Sequence, residues 1–106
     1  MKITVNRSLT SGVYWVSFKV SEFSQHELLQ MERFGIPYVN LKNGTGPHQA
    51  TARVRLNQVN EQSKAGFSAE DDARTYEDYV LGQIREGMNS IRDKKDDFTA
   101  SEEVTI

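Results

Sequence analysis

Two histidines, His26 and His48, are the side chains best suited to move a proton or hold a metal near neutral pH. His26 stands next to Glu27 in a stretch with helical signals. Adjacent helical residues point about 100° apart, so this pair does not converge on one ion. Neither histidine has ligand spacing such as His-x-x-x-His, and the chain contains no cysteine. Thiolate zinc sites, cysteine nucleophiles and disulfides are therefore excluded. No metal and no cofactor is expected. The loop Gly44-Thr45-Gly46-Pro47-His48 is glycine-rich, but a phosphate cradle leads into a helix N-terminus. This loop leads into strand-like sequence, and Pro47 removes one N–H, so a turn is expected. An enzyme reading would centre on His48 and this loop, with no reaction to attach to it. Carboxylates cluster at Glu70-Asp71-Asp72 and at Asp93, Asp96 and Asp97. A catalytic carboxylate pair needs settings that push the two pKa values apart. These clusters read instead as a dipole-matched helix start and a solvated tail. No catalytic residue is assigned, and an enzyme is not expected.

Recognition chemistry is better represented. Trp15 and Lys19 share a strand face by period-two alternation, and Arg53 and Arg55 share a face in a later strand. If both strands belong to one sheet, Trp15, Lys19, Arg53 and Arg55 form one outward face. Tryptophan and arginine are enriched among binding hot spots. The same pair can also stack bases and neutralise phosphates. The plainer alternative is a Trp15 covered by a loop or the tail, with the arginines paired to local acids.

The elements that would position these residues follow from pattern. Ile3 and Val5 alternate with polar neighbours, giving a strand over 2–8. Ser8 to Gly12 is turn-rich, and residues 13–20 are mostly β-branched or aromatic. A hairpin joins the two, with Tyr14, Val16 and Phe18 turned to the core. Ser24 and Glu27 have capping-box spacing, and Phe23 and Leu28 are placed for a hydrophobic staple. Gly35 and Pro37 stop this first helix at Phe34. Residues 38–41 and 50–59 read as strands, the latter with Ala52, Val54 and Leu56 inward. Residues 60–66 read as a loop. A second helix starts at Ser68, with acids matching its dipole. Ala73, Tyr76, Val80, Ile84, Met88 and Ile91 then recur at three- and four-residue steps for about seven turns. Gly82 and Gly87 interrupt it, Gly87 near the apolar stripe. Phe-Ser-x-x-acid starts both helices, which hints at two ββα halves.

The chain has 106 residues, with 25 of them Leu, Ile, Val or Phe, enough apolar content for one folded core. No apolar run approaches the roughly 20 residues that span a bilayer. The stretch Met1–Arg7 has no apolar h-region, so no signal peptide is expected there, and the expected location is cytoplasmic. The net charge of −2 hides an asymmetry. Residues 1–60 carry seven basic residues and three acids, and residues 61–106 carry six and twelve. An acidic tail could therefore fold over a basic sheet face.

The expected fold is a single α+β domain over residues 1–93, with a flexible acidic tail over 94–106. About four antiparallel strands carry both helices on one face, in ββαββα order. The expected core is Ile3, Val5, Tyr14, Val16, Phe18, Leu28, Met31, Phe34, Val54, Leu56, Tyr76, Val80, Ile84 and Met88. The second helix would be about 37 Å long and would overhang such a sheet. A second copy commonly covers an overhanging stripe, so a homodimer through this helix is one expectation. The functional expectation is a small non-enzymatic protein–protein interaction module acting through Trp15, Lys19, Arg53 and Arg55. Weak nucleic-acid binding through the same face is the alternative.

Overall fold

The computed structural model describes residues 1–43, 50–59, 64–94 and 105, without the side chains of 42, 43, 50 and 51. The expected loop 43–48 and acidic tail 94–106 fall almost wholly outside the described residues.

Strands β1 (Lys2–Thr10) and β2 (Val13–Ser21) pair antiparallel in unbroken register from Lys2↔Ser21 to Thr10↔Val13. The two-residue turn Ser11-Gly12 has φ of 53° and 75°, the doubly positive turn whose twist matches a hairpin. Helix α1 (Gln25–Phe34) begins with the capping box read from Ser24 and Glu27. It ends at Gly35, whose φ is 92° and whose N–H donates to the Met31 carbonyl at 2.9 Å. Strands β3 (Tyr38–Asn43) and β4 (Ala50–Arg55) form a second antiparallel pair, followed by a 3₁₀ turn over Leu56–Gln58. Strand β5 (Ala65–Phe67) then pairs with β2, and α2 (Glu70–Asp93) closes the order.

The fold is α+β, one small domain of antiparallel strands and two helices, as expected. Its strands divide differently. Among the described residues there are five in two sheets, ordered β1-β2-β5 and β3-β4, in place of four in one. Two local readings change with this. Residues 50–59 are strand only to Arg55, because the chain turns at Leu56, which is fully buried. Residues 65 and 66, read as the end of a loop, form a strand with Phe67, because Ala65 and Phe67 are buried where the strand pairs with β2. A three-residue strand containing glycine carries too little periodicity to be seen in sequence.

Helix α2 holds the two sheets together. Its stripe of Ala73, Tyr76, Val80, Ile84, Met88 and Ile91 is buried along its whole length. Near the N-terminal end the Tyr76 ring lies 6.1 Å from Phe18 and 5.1 Å from Phe67, against the first sheet. Farther along, Gly87 faces Val39 of β3, where an added methyl would meet Val39 Cγ1 at 3.5 Å. At the C-terminal end the Gln30 side chain donates to the carbonyls of Ile91 and Lys94, tying α1 to α2. The Val20 N–H donates to the Val59 carbonyl at 3.1 Å, a backbone link from β2 to the segment after the 3₁₀ turn. The stripe leaves no overhang, because β3 and α1 cover the portion that reaches past the first sheet. A homodimer through α2 therefore loses the exposed surface that motivated it.

Leu28 is the clearest correction to the expected core. It is 50% exposed, and Leu29 is 53% exposed. The inward side of α1 carries Glu27, Gln30, Met31 and Phe34 instead. A buried carboxylate takes the place that an apolar stripe would give to Leu28. Ile3, Val5, Tyr14, Phe34 and Val54 are partly buried and flank the core. Phe18→Ala is expected to cost about 3–5 kcal/mol in urea unfolding, and Leu28→Ala less than about 1 kcal/mol. Equal losses would place Leu28 back in the core. Gly82 has open space where a methyl would go, so Gly82→Ala is expected to add roughly 0.5–1 kcal/mol.

Candidate functional site

The four residues of the expected recognition face separate onto two sheets. Trp15 and Lys19 lie on β2 of the first, and Arg53 and Arg55 lie on β4 of the second. The single outward face that would have joined them is not formed.

Trp15 is half-buried and serves packing. It stands opposite Gly66 in the β2–β5 register, and its ring lies over that glycine. A methyl on Gly66 would sit 2.7 Å from Trp15 Cζ3, so the ring fills the space a side chain would take. The Lys64 ammonium lies 4.9 Å from the ring centroid on this side of the sheet. The neighbouring Ser17 is buried, while Lys19 is exposed. The plainer alternative has Trp15 covered by a loop or the tail; the ring packs instead on Gly66 of β5, and the tail lies almost wholly outside the described residues. Gly66→Ala is expected to displace the indole, shift its emission to longer wavelength and cost about 1–3 kcal/mol. Unchanged emission and stability would show that the ring does not depend on Gly66.

The aromatic that accompanies the arginines is Tyr38. Its ring is half exposed, and the Arg53 guanidinium lies 4.4 Å from the ring centroid. Arg55 is the direct cross-strand partner of Tyr38, and Arg53 is that of Asn40. Residues 38, 40, 53 and 55 therefore share the outer face of the β3–β4 pair, while Val39 and Leu41 are buried against the core. Neither strand contains an acid, and together they carry Lys42, Arg53 and Arg55. The strand over 38–41 was visible in the sequence. Its register with Arg53 and Arg55 was not.

A second concave region lies between the turn end of the first hairpin and the start of α2. This cavity of about 230 Å³ has Leu9, Tyr14, Val16 and Ala73 in its walls. Arg7 donates to the nearly buried Glu77, and Arg74 donates to Glu70 at 2.6 Å. Both carboxylates of the rim are thus engaged by arginines. His26 is exposed on α1, and His48 lies outside the described residues. Among the described residues no three His, Cys, Asp or Glu side chains gather as a metal set. No described helix is long and apolar enough to cross a membrane.

Glu27 is the acid the sequence placed only in a cap. Its Oε1 accepts from the Met1 ammonium at 2.9 Å and from the Ser24 N–H at 2.8 Å. Its Oε2 lies 3.8 Å from Arg92 Nε, and its side chain is 4% exposed. Burial alone would raise its pKa. The hydrogen bonds from Ser24 and the Met1 ammonium outweigh that, so the pKa falls below its ordinary 4.5. The stability Glu27 contributes is complete above its unfolded-state value and is lost as pH falls through the folded one. Urea unfolding from about pH 7 down to about pH 3 is expected to show a steeper loss for the native chain than for Glu27→Gln. Parallel losses would remove Glu27 from the acid response.

Comparison of the chain with protein-family models, with curated proteins and with solved structures returned no match in any of the three.

Proposed function

We propose that this protein is a non-enzymatic interaction module whose outer β3–β4 face binds an acidic polypeptide. The observation that carries the reading is an exposed Tyr38 flanked by Arg53 and Arg55 on strands that contain no acid. Aromatic and arginine side chains give large contact area and charge-assisted hydrogen bonds to carboxylates. Arg53 already lies over the Tyr38 ring, which fixes its guanidinium and lowers the ordering cost on binding. Trp15 leaves the proposed site because its ring packs on Gly66, and Lys19 remains with the first sheet.

A polypeptide is favoured over a nucleic acid by charge. The net charge is −2, and the basic residues of this face are few for a phosphate track. A Glu-rich peptide titrated into isotopically labelled protein is expected to shift the resonances of Tyr38, Asn40, Arg53 and Arg55. The double variant Arg53→Ala/Arg55→Ala is expected to lose those shifts while keeping its unfolding midpoint. Tighter binding of oligothymidylate, with a steep salt dependence, would replace the reading with the nucleic-acid one. Absence of shifts with either probe would overturn both.

A further inference from the structure

The geometry points to a second interface: β1 pairs with β1 of a second copy, joining two three-stranded sheets into one antiparallel six-stranded sheet.

Strand β1 is an edge strand of nine residues. Among the described residues no strand pairs with its outer side. Natural edges are usually blunted by short length, proline, bulges or inward charges. The other edge of this sheet obeys that rule, since β5 has three residues. Strand β1 has no proline and no break in register over its whole length. Its one inward charge is Arg7, whose guanidinium is taken up by Glu77 of α2. Lys2 lies at the extreme end. Leu9 is 61% exposed on the same side of the strand as the core residues.

The pairing pattern says which backbone groups are available. A two-residue hairpin turn is closed by a hydrogen-bonded pair, here Thr10 and Val13, and such pairs alternate along the ladder. The even residues of β1 therefore direct their N–H and C=O groups to β2. Ile3, Val5, Arg7 and Leu9 direct theirs outward.

Those outward groups suit a copy of the same strand. In a two-fold pairing centred on Asn6, Ile3 meets Leu9 of the second copy and Val5 meets Arg7. About eight backbone hydrogen bonds form, and the whole strand overlaps. Lys2 falls opposite Thr10, so no two cations meet. Centring on Arg7 would set two guanidiniums face to face, and centring on Val5 would shorten the overlap and leave Leu9 outside it. The register that uses the most strand also sets Ile3 against Leu9 and places no two cations directly opposite. It is isologous, as a two-fold interface must be. This edge belongs to the first sheet and is separate from the Tyr38 face of the second.

Sedimentation equilibrium and amide exchange on the full chain test the interface together. The native protein is expected to reach twice the monomer mass as concentration rises. Two variants should raise the dimer dissociation constant roughly tenfold or more. Leu9→Lys changes an exposed side chain, and Val5→Pro removes an outward N–H without touching the β1–β2 ladder. Retained circular dichroism for Leu9→Lys keeps the test valid if Val5→Pro fails to fold. In exchange, the amides of Thr4, Asn6, Ser8 and Thr10 should be protected at every concentration. Those of Ile3, Val5, Arg7 and Leu9 should gain protection only as the dimer forms. A monomer at all concentrations overturns the interface. So does a dimer indifferent to both substitutions. Concentration-independent protection of the odd amides would also overturn it, by assigning this edge to a segment of the same chain.

Discussion

One apolar stripe on α2 is the constraint on which the rest of the molecule depends. Among the described residues the two sheets share no hydrogen-bonded ladder, so each must bury its inner face on something else. The helix supplies that surface to both, because its stripe runs unbroken from Ala73 to Ile91. Tyr76 meets Phe18 and Phe67 of the first sheet, Gly87 lies against Val39 of the second, and Ile91 sits at the junction with α1. A helix of this length would overhang one small sheet. Shared between two sheets and a second helix, it is covered within the chain.

That division of labour decides which surfaces remain for partners. With both inner faces and the helix stripe buried, two of the described surfaces that remain are the outer face of the β3–β4 pair and the outer edge of β1. The first is aromatic and basic, with Tyr38 beside Arg53 and Arg55. The second is backbone, with its inward charge neutralised by Glu77. Two further acids among the described residues are engaged by cations. Glu27 binds the Met1 ammonium, and Glu70 binds Arg74.

Local signals in the sequence were reliable where one residue fulfils one backbone requirement. Ser24 and Glu27 formed their capping box, and Gly35 took the positive φ that stops α1. The 3.6-residue period of α2 located every one of its buried apolar positions. Errors arose where the partner of a residue lies far along the chain. Leu28 fitted an apolar stripe, yet Glu27 took the inward position because its charge could be met there by Met1 and Arg92. Strand β5 had too few residues to show a period and exists because β2 offered it an edge.

The same distinction separates what each level of structure determined about function. The amino-acid sequence by itself determined the class of fold, the order of most elements, the amphipathic helix and the absence of thiol chemistry. These follow from backbone preferences and side-chain periodicity, which act over a few residues. Only the tertiary structure decided that Trp15 covers Gly66 while Tyr38 accompanies the arginines. Alternation tells which residues of one strand share a face. Which strands share a sheet is settled by how two sheets divide the surface of one helix, and that competition involves the whole chain at once.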